Sequence, residues 1–345
     1  MKELAVIIPA WNGGPRLLES VESCARSGVP AERYGLLVID NCSTDDSIEK
    51  LPALDANHVP VQIWRNESNL GRTGNWNRGL EIAAREGYQF ATFLFVGDTW
   101  ATGASIVELL DLMKQSGAVL GMAPLLIAAE SGSGCREGAR ISFPHDRALI
   151  DTLDLLEIVV RSGRLPFAPL QANIYRLFGE NPLRFDTSPQ SALNTDIEST
   201  VSYLMEHGGT IALISKPFLV WKEQSQRFLS RQDPWFVMLE TRASLSRISA
   251  ATGLPVDWAK ANAISLLTSA HELSRRLSPG ARVRLVWKVL RYLRRAPGGV
   301  SIREVLGFAC NKVLRNRSYL WLSDNCTHGP SGRLGSAGAV SRYTL

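Results

Sequence analysis

Cysteine is scarce in this 345-residue chain. The five present (Cys24, Cys42, Cys135, Cys310, Cys326) are scattered, odd in number and never spaced as CxxC. That excludes a disulfide framework and a cysteine-ligated structural zinc, and predicts a reduced, cytoplasmic chain. No run of about 18–20 apolar residues exists, so no segment reads as a membrane-spanning helix. The start, MKELAVIIPAWN, has too short an apolar stretch for a signal peptide and no cleavage-site pattern. Repeats of fixed period are absent. So are three motifs of familiar α/β enzymes: GxGxxG after the first strand, GxxxxGK[ST], and GxSxG. Their absence argues against a dinucleotide enzyme, a P-loop NTPase and a serine hydrolase.

What is there is an ordinary globular composition, 45% hydrophobic and 21% charged. The length suits one large domain plus an appendage, or two domains. The first half alternates strand and helix patterns. Strands are expected at 4–10, 36–41, 61–64, 91–96 and 118–127. Helices are expected at 15–26, from 43 to about 54, at 72–86 and at about 103–115. Such alternation predicts a doubly wound, mostly parallel α/β sheet, Rossmann-like in form. Further on, helices are expected at 152–162 and 192–207, a strand at 211–215, and a helical pattern from about Trp235. The Gly/Ser-rich stretch GPSGRLGSAGAVS has the composition of a disordered tail.

In a parallel sheet the carboxyl ends of the strands gather on one edge, where ligands bind. Three such ends carry polar groups here: Pro9-Ala10-Trp11-Asn12-Gly13-Gly14, Asp40-Asn41-Cys42-Ser43-Thr44-Asp45, and Gly97-Asp98-Thr99. Between them lies NESNLGRTGNWNRGLE (66–81), dense in Asn, Gly and Arg. Those residues offer backbone N–H groups and side-chain amides to a nucleotide or a sugar. Trp76 is expected in the core, and Trp100, next to Asp98, against a ligand.

As a set, "AVIIPAWN", "LLVIDNCSTDDS", "NLGRTGNWNRGLEIA" and "FLFVGDTW" resemble a family 2 glycosyltransferase of the GT-A fold, over about residues 3–112. A weaker likeness extends to "NTDIESTVSYLMEHGGTIALISKP" (194–217). The resemblance implies inverting transfer of a sugar from a nucleotide-diphosphate sugar, of UDP or dTDP type. The acceptor implied is a hydroxyl of a saccharide or of a polyprenyl-diphosphate-linked saccharide. By position, Pro9, Ala10, Trp11 and Asn12 would line the nucleoside pocket, and Asp40 would bind the base. Asn69, Gly71 and Arg72 would continue the nucleotide wall. Asn75, Asn77 and Arg78 fall where ribose or donor sugar is oriented. Gly97 and Asp98 match the end of the DxD motif, with Asp98 as ligand of a divalent cation (Mg or Mn). Asp196 matches the general base, with Asp186 and Glu198 as alternatives.

Several positions depart from that pattern. Val96 stands at the first DxD position, Thr99 where an acid often follows, and Thr195 before the base. No histidine occurs in FLVWKEQSQRFLS (218–230), although Lys222 and Arg227 could offset diphosphate charge. The implied cellular role is cell-surface polysaccharide assembly, of O-antigen, lipopolysaccharide or exopolysaccharide type. A sugar-nucleotide-binding protein with little catalysis is the alternative, and a nucleotidyltransferase ranks third. The predicted layout is a GT-A domain over 1–230, a basic helical extension over 231–322 and a tail over 323–345.

Charge is uneven. From Arg275 to Arg317 there are twelve Lys or Arg and one acid, Glu304. Arg284, Lys288, Arg291 and Arg295 recur at helical spacing, opposite an expected apolar stripe of Val283, Val286, Trp287 and Leu290. The pattern fits a solvated bundle face or peripheral contact with the anionic inner face of a membrane. No nucleic-acid recognition motif accompanies it.

Overall fold

The strand LAVIIPA is apolar on both faces, which suits only the middle of a covered sheet. In the computed structural model it is β1 (Leu4–Ala10), buried along nearly its whole length. The structure describes residues 3–51, 61–101, 103–128, 135–138, 141–142, 147–162, 170–179, 183–188, 193–222, 233–271, 277–306 and 320–321. After β1 come α1 (Pro15–Arg26), β2 (Tyr34–Asp40), β3 (Val61–Arg65), α2 (Gly71–Arg85), β4 (Phe90–Phe93), β5 (Thr99–Trp100) and α3 (Gly103–Ser116). Then follow β6 (Leu120–Met122), β7 (Leu125–Ala128), β8 (Cys135–Gly138), β9 (Ile141–Ser142), β10 (Arg147–Asp151), α4 (Thr152–Ser162) and β11 (Asn173–Arg176). The order closes with α5 (Thr195–His207), β12 (Thr210–Ile214), β13 (Leu219–Lys222), α6 (Pro234–Thr252), α7 (Trp258–His271), α8 (Pro279–Leu293) and β14 (Leu320–Trp321).

Eight strands form the main sheet in the order β10-β12-β6-β11-β4-β1-β2-β3. Pairs β1–β2, β2–β3, β1–β4 and β6–β12 are parallel, whereas β11 and β10 run antiparallel to their neighbours. The chain moves outward from β1 through β2 to β3, then returns to β4 on the other side of β1. That reversal leaves a crevice at the carboxyl ends of β1, β2 and β4. A small sheet, β5-β13-β7-β8, stands beyond it.

Four expectations change. The helix expected from residue 43 is a series of bends and turns up to Lys50, because Ser43 and Asp45 spend their side chains on the β1 loop. The strand expected at 91–96 stops at Phe93, where Leu94, Phe95 and Val96 turn the chain toward Asp98. The run 118–127 is two strands in two sheets, divided at Ala123-Pro124, since proline supplies no ladder N–H. In α8 the buried stripe is Leu285, Val289 and Leu293, packed on Met238 of α6. The helix is thus turned away from the expected stripe: Val283 and Trp287 are exposed.

Helix α2 lies close on β1 and β2 because Gly79 has no side chain. A Cβ there would collide with Ile7 Cγ2 and come within 3.2 Å of Ile39 Cγ1. Helix propensity favours alanine by about 1 kcal/mol, but overpacking a core costs about 1–3 kcal/mol. Gly79→Ala is therefore expected to lower stability by about 1 kcal/mol net, read as a drop in urea midpoint. Gly280→Ala is the control: its Cβ would meet only Arg284 Nη1, at 3.7 Å, and no loss is expected.

Candidate active site

Two loops lock together at the ends of β1 and β2. Asn12 adopts a left-handed conformation, φ 49°, which asparagine tolerates better than most residues. Its N–H donates to Ser43 Oγ at 2.9 Å, and its Oδ1 accepts from the Thr44 N–H at 2.8 Å. The Gly14 N–H donates to Asp45 Oδ2 at 3.0 Å, and Asp45's pKa is lowered, chiefly by its hydrogen bond from Ser47. Trp11 projects outward, 59% exposed, at the mouth of this loop, while Pro9 and Ala10 complete the strand. Asp40 is fully buried at the end of β2. Its Oδ1 accepts from the Ser43 N–H at 2.9 Å, and its Oδ2 accepts no hydrogen bond, lying 3.4 Å from Arg65 Nε. A buried carboxylate oxygen with one ion-pair contact retains capacity to accept from a ligand.

A chain of amides fixes the next wall. Buried Asn41 donates to Asn69 Oδ1 at 2.8 Å and to the Gly71 carbonyl at 3.2 Å. Its own Oδ1 accepts from the Leu70 N–H and from Asn66. Asn66 donates onward to Asn75 Oδ1 at 2.8 Å, and Asn75 donates to the Ile39 carbonyl at 3.0 Å. Asn75 is thus 3% exposed and engaged at both ends within the protein. Asn77 grips the Phe185 backbone through both its oxygen and its nitrogen, each at 2.8 Å. Arg78 stands 3.8 Å from Glu81 on the outer side of α2. Gly71 turns at φ 72° to start the helix. Asn41 and Asn66, both inside the polar runs that follow β2 and β3, brace this wall from within the protein.

Asp98 lies in the loop between β4 and β5, and it is fully buried. Its Oδ1 accepts from the Lys222 N–H at 3.1 Å and its Oδ2 from Gln171 Nε2 at 2.8 Å. Ser20 of α1 donates to the Asp98 carbonyl at 2.8 Å and accepts from the Gly97 N–H at 2.9 Å, where Gly97 has φ 92°. Asp98 therefore ties α1, β13 and the 170–172 turn to one loop. The Lys222 ammonium pairs with Glu19, so lysine meets Asp98 through its backbone. Gln224 and Arg227 lie outside the described residues. Trp100 is 5% exposed, with its ring 5.5 Å from Tyr34, and packs inside rather than on a ligand. Ser20 had a signal in sequence, a polar residue on the apolar stripe of α1; Gln171 had none.

A divalent cation does not fit this carboxylate as it stands. Magnesium needs accessible carboxylate oxygens, whereas both Asp98 oxygens face protein donors. Among the described residues no group of three His, Cys, Asp or Glu side chains converges.

Asp196 lies in the first turn of α5, where the helix dipole favours an acid. Its Oδ1 accepts from the Ile197 N–H at 3.0 Å. Its charge reaches two neighbours. Arg72 has its guanidinium 5.0 Å from the Trp76 ring; desolvation lowers its pKa, and Asp196 acts against that shift. Burial raises the pKa of Tyr175, and Asp196 adds to the rise. The two alternative acids are committed elsewhere. Glu198 binds Arg247 at 2.8 Å and Ser244, both on α6, and Asp186 accepts from Ser188 at 2.8 Å. Trp76 itself is core, stacked 5.1 Å from Phe95 and edge-on to Phe185.

Residues 5–127 match the family described as Glycosyl transferase family 2. The poly(ribitol-phosphate) beta-N-acetylglucosaminyltransferases TarS of Staphylococcus aureus strains Mu50 / ATCC 700699 and MW2 are each 27% identical over 94 residues. That match covers 27% of this chain and 16% of each relative. The crystal structure of S. aureus TarS 1-349 in complex with UDP-GlcNAc superposes with a TM-score of 0.55 at 16% identity, over 86% of this chain and 82% of that one. TarS 1-349 alone gives a TM-score of 0.50 at 17% identity, over 86% and 81%. Residues 5–127 are therefore similar to glycosyl transferase family 2, and the chain has the GT-A fold.

Proposed function

We propose that this chain is an inverting glycosyltransferase. It would move a sugar from a nucleoside-diphosphate donor to a hydroxyl of a saccharide or lipid-linked saccharide, in assembly of a cell-surface polysaccharide. Two acids support the reading. Asp40 sits at the end of β2 with an oxygen that accepts no hydrogen bond, and Asp196 stands within charge range of Arg72, at the head of the amide-braced helix α2. Trp11, which follows the Ala10 that pairs with Asp40 in the sheet, offers an exposed ring for a nucleobase. TarS, crystallised with UDP-GlcNAc, makes a UDP-sugar the first donor to try.

In the reaction, the acceptor oxygen attacks the anomeric carbon and passes its proton to an Asp196 oxygen. The bond from that carbon to the phosphate oxygen breaks on the opposite side. The nucleoside diphosphate leaves with the electron pair, and the cationic Arg72 offsets its charge. No step is assigned to a metal, given how Asp98 is engaged.

A thermal-shift panel of UDP-, dTDP- and GDP-sugars tests donor binding. A true donor at 100 times its Kd should add about 2.7 kcal/mol of stability, and Asp40→Ala should abolish the shift. Failure of every nucleotide sugar to stabilise the chain would overturn the reading. The departures at Val96 and Thr99 support a second reading, a sugar-nucleotide-binding protein with weak catalysis. Stabilisation by a donor without nucleotide release, across a panel of saccharide acceptors, would favour it.

A further inference from the structure

Helix α8 carries a solvent face that its own packing does not explain. Ser278 caps its first turn, and Leu285, Val289 and Leu293 seat it on Met238 of α6. Opposite that stripe, Trp287 lies near the centre of the exposed arc, 64% exposed. One turn before it is Val283, 57% exposed, and one turn after it is Arg291. Arg284 and Arg294 flank the same line, and both are exposed. No acid occurs anywhere in α8. The next segment repeats the theme: Ile302, 75% exposed, sits beside exposed Arg303. Solvated helix faces in soluble proteins carry mixed charges and few large apolar groups. Here a tryptophan and aliphatic side chains stand among arginines of one sign. No described helix is long and apolar enough to cross a membrane.

We infer that this face docks the protein on an anionic lipid bilayer, lying in the plane of the interface. Tryptophan is favoured at the headgroup level, where its ring is buried and its N–H stays hydrated. Arginines beside it meet lipid phosphates, and long side chains reach outward while their stems cover apolar surface. The charge sign selects the partner: a neutral bilayer would use only the apolar groups, whereas an acidic one uses both. Helical packing links the face to α5. α8 packs on α6, and α6 holds α5, the Asp196 helix, through Arg247 to Glu198 and Ser244 to Asn194. The inference stands on α8 alone, and donor binding can fail without touching it.

Co-sedimentation of the full chain with vesicles tests it. The chain should pellet with phosphatidylcholine vesicles containing phosphatidylglycerol at low salt, and release as salt rises and screening shortens to about 3 Å at 1 M. Each arginine removed should weaken binding about fivefold, so the double change Arg284→Ala, Arg291→Ala should cost more than tenfold. Trp287→Ala should weaken binding to the same vesicles without restoring any on neutral ones. These side chains are exposed, so melting temperatures should stay put and donor stabilisation should be unchanged. No pelleting at low salt would overturn the inference. So would equal pelleting with pure phosphatidylcholine, or a dimer in light scattering that Trp287→Ala abolishes, because a second copy would then own the face. Stronger retention on RNA than on acidic vesicles would overturn it too.

Discussion

Asp196→Asn is expected to lower the rate of sugar transfer by about 10²–10⁴-fold, the range a positioned general base contributes. The loss should fall on kcat, with donor affinity unchanged. Asparagine keeps the size of the side chain and an oxygen to accept from the Ile197 N–H, so α5 should start as before. What goes is the group that takes the acceptor proton. The two neighbouring acids have other partners. Glu198 is held by Arg247 and Ser244, and Asp186 closes its own turn with Ser188. Glu198→Gln should instead loosen α6 from α5 and show mainly in stability. Steady-state transfer and donor thermal shifts on the same variants separate these outcomes. If Asp196→Asn transfers at the parent rate while Asp186→Asn does not, the base is Asp186.

Much of this architecture could be read from apolar spacing. β1, α1 and α4 begin and end where their patterns do, because each buries a face whose period is unambiguous. β10, β11 and β13 escaped notice: each is four or five residues long and takes its place from partners distant in sequence. α8 shows the limit of periodicity within a helix. Its sequence supports two apolar stripes a fraction of a turn apart, and packing on α6 and α7 selects Leu285, Val289 and Leu293. In the site, the strand-end position of Asp40 was legible, whereas Asp98 was expected at the end of a strand that stops five residues earlier, and the surroundings of neither could be read. The same acid type ends with one oxygen accepting no hydrogen bond in Asp40 and both oxygens engaged in Asp98, because Gln171 and Lys222 arrive from elsewhere in the chain.

Asp98→Ala should destabilise the protein by about 3 kcal/mol, since it strands two buried donors at about 1–3 kcal/mol each. Gln171 Nε2 and the Lys222 N–H would lose their acceptor in a place that water does not reach. Asp98→Asn should cost much less. Its oxygen can still accept from Lys222, and its new amide can donate to Gln171 once that side chain flips. The flip brings Gln171 Oε1, a buried oxygen now without a hydrogen bond, to a donor at last. The two substitutions therefore separate a positioning acid from a metal ligand. A positioning acid gives a large loss in urea midpoint for alanine, a small one for asparagine, and activity that follows stability. A metal ligand gives similar, small stability changes for both and an equal collapse of activity, because the asparagine amide supplies no charge to the cation. Equal collapse in two stable variants would assign Asp98 to the cation after all, and would require the Gln171 and Lys222 contacts to open when donor binds.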